Sequence, residues 1–224
     1  MFRDREDAGE RLAQALAAYK GRADVLILAV PRGGLAIGKV LAVELGLELD
    51  VLLAKKLGHP RDPEYAVGAV GLSGEWIDEE AVAMEPVSVE RLRRDAERVR
   101  RALRKRDRLY REGRGTPSWE GRVVLLVDDG AATGRTLLAA VELARRERPR
   151  AVVVAVPVAS AAALERLRRR ADEVVCLVSR EAFHAIGQFY GRFEQVSDEE
   201  AVALLREADA ARAPPTCKPR ETGA

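Results

Sequence analysis

A parallel, twisted α/β sheet flanked by helices is predicted by three observations. Short continuous aliphatic runs alternate with segments of helical period, several of those runs end in glycine-bearing turns, and the second half of the chain repeats the strand-then-helix order. Strands covered by helices on both faces read as unbroken Val, Leu, Ile and Ala, whereas half-exposed antiparallel strands alternate with polar residues. Composition agrees: the 224 residues are 47% hydrophobic and 33% charged but only 4% aromatic, which describes a folded chain with an aliphatic core. This length suits one domain, taken as residues 1–210 with a core over 25–178.

Leu12, Ala15, Leu16 and Tyr19 recur at helical spacing before Gly21, so the chain opens with a helix. Residues 25–30 form a buried strand that runs into Pro31-Arg32-Gly33-Gly34, read as a loop. Residues 37–45 resume a helical pattern and stop at Gly46, and residues 49–53 form a second strand, which completes a βαβ unit. A flexible loop with a helical excursion spans 58–115. Residues 58–85 mix proline, glycine and one apolar fragment, 66–70, and read as a mobile loop followed by a short antiparallel excursion. Ser88 caps a helix over 89–111, where Leu92, Ala96, Val99, Leu103 and Tyr110 form one apolar stripe.

From there the pattern is strand 123–127, turn, helix 136–146, strand 151–156, helix 161–170 and strand 174–178. Residues 179–196 form a small hood. Ser197 and Glu200 match the capping box of a last helix, and residues 211–224, with three prolines, are expected to be a disordered tail.

A formal net charge of +2 from 38 basic and 36 acidic residues gives no whole-chain case for nucleic-acid or membrane binding. No apolar run approaches the ~20 residues of a spanning helix, the first residues lack the apolar core of a signal peptide, and the two cysteines have neither disulfide-framework nor metal-ligand spacing. A cytoplasmic protein without membrane partners is expected. The Arg-rich helix over 89–111 lacks interleaved aromatics for base stacking, so its charged face is read as solvated or as meeting a second copy in a homodimer.

Chemistry concentrates in residues 123–136. A buried strand delivers Asp128 and Asp129 to its C-terminal edge, where open parallel sheets place their ligands. A turn of small residues then enters a helix N-terminus, whose unpaired N–H groups suit a phosphate monoester. Gly130 and Gly134 permit close approach, Thr133 and Thr136 offer hydroxyls, and the carboxylates can accept from vicinal sugar hydroxyls.

This run, a hydrophobic strand, two acids, four residues ending in Thr-Gly and then Thr, resembles the phosphoribosyl-pyrophosphate motif of the type I phosphoribosyltransferases. The resemblance implies a Mg²⁺-assisted transfer from 5-phosphoribosyl-1-pyrophosphate (PRPP) to a small heterocyclic base, with the metal held by PRPP and water and no dedicated protein ligand. It implies that Asp128 and Asp129 contact the ribose, and that Gly130, Ala131, Ala132, Thr133, Gly134, Arg135 and Thr136 form the 5′-phosphate loop. Arg32, Gly33 and Gly34 match the pyrophosphate loop, which in the family often carries a strained or cis peptide.

Lys56, read at the end of the second strand, stands where the family commonly holds a basic residue near the pyrophosphate; two solvated lysines fit equally. Arg61 and Tyr65 occupy the place of the family's flexible catalytic loop, though the run matches no familiar loop signature and ordinary loop chemistry fits equally; His59 beside them reads as a surface histidine. Phe189 or Tyr190 in the hood is a candidate to stack on the base, with core packing an equal alternative. Ala132 departs from the hypoxanthine-guanine enzymes, which carry an acid there. A non-catalytic PRPP-sensing regulator that binds RNA or DNA on the same fold is the alternative function.

Overall fold

In the computed structural model, which describes residues 1–59, 61, 66–84 and 87–212, the aliphatic runs lie side by side in one sheet. The chain runs α1 (Arg5–Ala15), β1 (Val25–Ala29), α2 (Gly33–Leu45), β2 (Glu48–Val51), β3 (Lys55–Gly58), β4 (Ala66–Val70), β5 (Glu75–Ile77), α3 (Glu79–Met84) and α4 (Val89–Arg111). It continues through β6 (Val123–Val127), α5 (Arg135–Arg146), β7 (Ala151–Ser160), α6 (Ala161–Arg168), β8 (Glu173–Arg180) and α7 (Asp198–Arg212). Five strands form a sheet in the order β2-β1-β6-β7-β8, parallel throughout, and β3-β4-β5 form a separate antiparallel sheet.

Strand pleating divides the core. Ile27, Ala29, Leu125 and Val127 point to the face covered by α1, α2 and α7, where Leu12, Leu35, Ile37, Leu41 and Leu205 pack. Leu26, Leu28, Val124 and Leu126 point to the opposite face, against Leu137 and Val141 of α5 and Leu167 of α6. Every residue of β1 and β6 is therefore buried, which is why their sequences do not alternate.

Among the boundaries that differ from the sequence reading, three bear on the sheet and the site. Gly33 and Gly34, read as loop, open α2, because close contact with the loop after β6 places them in the first helical turn. Lys55 and Lys56 do not end the second strand. The backbone leaves β1 after the Leu52 amide bonds Ala29, and Lys55 then pairs with Val70 in the antiparallel sheet. Strand β7 runs on to Ser160, and its pairing to β8 steps over Pro157, which has no N–H to offer.

The residue range 58–85, read as a loop with an antiparallel excursion, contributes β4, β5 and α3. Helix α4 has the predicted bounds, with Ser88 Oγ accepting from the Arg91 amide at 3.4 Å. It is tied to β2 by a buried ion pair, Arg111 to Asp50 at 2.9 Å. Residues Ala211 and Arg212 of the expected tail complete α7; 213–224 lie outside the described residues. Among the described residues no helix is long and apolar enough to cross a membrane.

Candidate functional site

Strands β1 and β6 are neighbours in register, Ala29 opposite Val127, so the segments leaving their C-terminal ends start side by side. The Val30 amide donates to the Val127 carbonyl at 2.8 Å and extends that adjacency by one residue. Glycine is then required by space. A Cβ on Gly34 would lie 2.6 Å from the Val127 oxygen and 3.0 Å from the Asp128 Cα, and one on Gly33 would lie 1.9 Å from Asp129 Oδ2. The Pro31–Arg32 peptide is cis, and Arg32 provides no side-chain cap to α2.

The loop between β6 and α5 separates its carbonyls from its amides. Ala131 O accepts from the Ser160 amide at 2.9 Å, Ala132 O from Ser160 Oγ at 2.7 Å, and Thr133 O from an Arg166 guanidinium at 3.2 Å. These carbonyls are thus engaged by β7 and α6. The amides of Ala132, Thr133 and Gly134 find no acceptor among the described residues, and Gly134, the N-cap of α5 with φ +71°, supplies no side-chain cap. Adjoining free amides at a helix N-terminus are the elements of an anion cradle. Gly130 is packed beneath the hood, where a Cβ would lie 2.7 Å from both Ile186 and Val158.

Both carboxylates of the Asp-Asp pair are held. Asp128 Oδ1 accepts from the Asp129 amide at 2.9 Å. Burial first, and the neighbouring Asp129 charge second, push the Asp128 carboxyl well above the usual carboxylate range. Asp129 is buried, and its Oδ2 accepts twice from Arg5, from Nε at 2.9 Å and from a terminal nitrogen at 2.8 Å. Nothing in the sequence pointed to Arg5, which lies 124 positions away on α1. Ser160 and Arg166, which hold the loop carbonyls, were equally invisible.

The remaining predicted residues are dispersed. Arg32 is partly exposed, 3.9 Å from Asp198 at the start of α7. Lys56 lines a cavity of about 270 Å³ with Trp76, Asp78, Arg135 and Arg166, against the outer side of the phosphate-type loop. Arg135 and Thr136 are exposed, as is Thr133, whose Oγ1 lies 3.5 Å from the Arg135 amide. Arg61 is exposed, while Tyr65 lies outside the described residues. His59, expected at the surface, is buried, with its Nδ1 accepting from the Arg61 amide at 3.1 Å. A larger cleft of about 510 Å³, lined by Leu52, Leu53, Trp119, Leu143 and Arg146, includes none of these residues.

Of the two readings open for Tyr190, the structure shows core packing. Tyr190 is buried between Phe2 and Phe193, with ring centroids 5.5 and 5.0 Å away, and its hydroxyl donates to the Asp129 carbonyl at 2.6 Å. It fastens the hood to the Asp-Asp loop and has no face to offer a base. Phe189 is half-buried against Phe183 at 4.9 Å. Among the described residues there is no cluster of three or more His, Cys, Asp or Glu able to hold a metal.

A five-stranded parallel sheet with an amide-lined loop and paired carboxylates at the edge of its central strand defines a phosphoribosyltransferase-type protein. The chain belongs to that family: residues 3–192 match the phosphoribosyl transferase domain. It is similar to the crystal structure of TT1426 from Thermus thermophilus, at 46% identity and a TM-score of 0.84 over 92% of this chain and 98% of that one. Two Mycobacterium tuberculosis proteins, from strains CDC 1551 and H37Rv, are provisionally named phosphoribosyl transferases. Each is 42% identical over 217 residues, 93% of this chain. The chain spans 47% of their length, about half of each.

Proposed function

We propose that the protein transfers the 5-phosphoribosyl group of PRPP to a ring nitrogen of a heterocyclic base and releases pyrophosphate. The observation that carries this reading is the polarity of the loop from Asp128 to Thr136. Its carbonyls are turned to β7 and α6, its amides are left for an anion, and two carboxylates stand beside them. A sugar phosphate presents the complement, a dianion at one end and a vicinal diol at the other.

In the reaction the bond from C1′ to the pyrophosphate oxygen breaks, its electron pair leaves with pyrophosphate, and the base nitrogen forms a bond to C1′ and loses its proton to solvent. The amides of Ala132, Thr133 and Gly134 bind the 5′-phosphate, and Asp128 and Asp129 accept from the ribose hydroxyls. The start of α2 at Gly33 and Gly34, with the charge of Arg32, meets the leaving group. Arg61 is a candidate to reach the sugar phosphate and help keep water from the reacting carbon.

Two carboxylates, one already bonded to Arg5, would suit Mg²⁺ held chiefly by substrate oxygens and water, with no direct ligand from the protein. When bound, the metal neutralises charge developing on the pyrophosphate. Positioning and electrostatics then carry the rate.

Ala132 leaves N7 of a 6-oxopurine without a proton partner, a contribution of roughly 10²- to 10⁴-fold for a general acid-base group. Efficient transfer to hypoxanthine or guanine is therefore not expected. A panel of purines and pyrimidines assayed for pyrophosphate release tests the reading. One base, other than hypoxanthine or guanine, should release pyrophosphate with PRPP and Mg²⁺. Failure of every base in the panel to do so would favour a non-catalytic role on the same fold, and rapid turnover of guanine would refute the role given to Ala132.

A further inference from the structure

We propose that Arg5 is a positioning residue for sugar recognition, holding the Asp129 carboxylate by one oxygen so that the other is presented to the ribose diol. The inference rests on the phosphoribosyl reading above and assigns the N-terminal segment a part in that site.

The geometry of Arg5 is that of a fixed clamp. Two of its N–H groups go to the single oxygen Oδ2 of Asp129, a third donates from a terminal nitrogen to the Glu194 carbonyl at 2.7 Å, and the guanidinium lies 3.9 Å over the Phe193 ring. Its side chain is only 13% exposed, so water does not compete strongly for these bonds. Charge-assisted bonds of this kind are about twice as strong as neutral ones, and the planar fork fixes direction as well as distance.

The clamp is also anchored at its base. Asp4 caps α1 by accepting from the Asp7 amide, so Arg5 is the first helical residue. The segment before it is laced to the hood: the Phe2 amide donates to Phe189, and the Gly191 and Arg192 amides donate to Phe2 and Arg3, all at 2.8 Å. Arg5 therefore cannot follow Asp129 if that side chain turns. On the opposite side, Gly33 leaves no room for Oδ2 to move toward α2, since even a Cβ there would lie 1.9 Å away.

This arrangement has two chemical consequences. Arg5 takes only Oδ2 of Asp129, so Oδ1 is left in a fixed place as an acceptor, with the Asp128 carboxyl as its hydrogen-bonding neighbour. Arg5 also supplies the counter-charge that lets adjacent buried carboxylates coexist. The charged and titratable groups around Asp128 are Asp129 on its own loop, Arg5 from α1 and the Tyr190 hydroxyl from the hood; α2 meets the pair only through its glycines.

The experiment uses the full chain as wild type, Arg5→Gln and Arg5→Lys, with cooperative thermal unfolding as the check on folding. Two readouts are taken: ¹³C-carboxyl NMR titration of Asp128 without ligand, and calorimetric titration with PRPP and Mg²⁺. In Arg5→Gln the Asp128 carboxyl, having lost the nearby positive charge, should titrate at higher pH, and PRPP affinity should fall about tenfold or more, the loss of one charge-assisted anchor. Arg5→Lys should restore most of the titration but not the affinity, because an ammonium lacks the fork that holds one oxygen while reaching Glu194.

A lowered melting temperature with unchanged titration and affinity in both variants would overturn the proposal and leave Arg5 as a tie for α1. Equal affinity in the wild type and Arg5→Lys would overturn the positioning role in favour of charge alone. Should wild type bind no PRPP, the phosphoribosyl reading fails. The clamp is then judged by the carboxyl titration, and an unshifted one in Arg5→Gln overturns it as well.

Discussion

Replacing Gly33 by alanine isolates the coupling between the two loops, because the sign of its effect is the reverse of what its place in a helix would give. Glycine to alanine in a helix ordinarily stabilises by roughly 0.5–1 kcal/mol. Here the added Cβ would lie 1.9 Å from Asp129 Oδ2 and 2.5 Å from its Cγ, both inside van der Waals contact. The carboxylate must swing away, yet Arg5 is held by Glu194 and cannot accompany it. Overpacking of this kind costs about 1–3 kcal/mol, so Gly33→Ala should lower the melting temperature. Displacing Asp129 should also forfeit a charged hydrogen bond to the sugar, about 1.5–3 kcal/mol, or roughly 10- to 150-fold in PRPP affinity. Thermal unfolding and calorimetry measure the two effects on the same protein, with Gly115→Ala, where a Cβ meets nothing within 4 Å, as the control. A Gly33→Ala variant as stable as wild type and with unchanged affinity would refute the reasoning.

Asp128→Asn should behave in the opposite way toward stability. The folded carboxyl titrates above its unfolded value, so the folded state takes up protons more readily, and wild-type stability declines as pH rises through that interval. The variant should therefore melt higher than wild type at neutral pH, with the gain disappearing below about pH 4, the unfolded Asp range, while PRPP binding weakens; a lower melting temperature at neutral pH would count against the burial argument. Asp50→Ala removes the more buried of the two acids on Arg111, which keeps Asp107 at 2.6 Å, and should cost about 1–3 kcal/mol in urea unfolding; an unchanged unfolding midpoint would show that the pair to Asp50 contributes nothing. Tyr190→Phe removes a 2.6 Å bond to the Asp129 carbonyl and should lower stability by about 1–3 kcal/mol. An unchanged melting temperature would contradict the role given to that hydroxyl.

Where one sequence segment contains its own explanation, the sequence was sufficient. Strand β6 and the loop after it could be read residue by residue because buried aliphatics, adjacent acids and small turn residues act locally, and α4 could be bounded by its Ser88 cap and the glycines beyond it. That the sheet is parallel followed from the same alternation, whereas its strand order did not. What escaped depends on contacts between distant segments. Arg5 gives no sign of its partner 124 residues away, and Ser160 is one serine among several until its hydroxyl meets the Ala132 carbonyl. Tyr190 and His59 are amphipathic, equally at home on a surface or in a core, and their burial is decided by Phe2 and Phe193 for one and by the fold around β3 for the other. Gly33 and Gly34 read as turn residues, because a helix entry that needs close approach uses the same residue type.

Calorimetric titration of the full chain with PRPP and Mg²⁺, repeated with the Asp128→Asn, Asp129→Asn double variant, tests the central claim most directly. The account predicts saturable binding by the wild type and a loss of about 100-fold or more when both acceptors of the ribose hydroxyls are neutralised, the sum of two charge-assisted bonds. Absence of binding by a folded wild type, or equal affinity in the double variant, would contradict it.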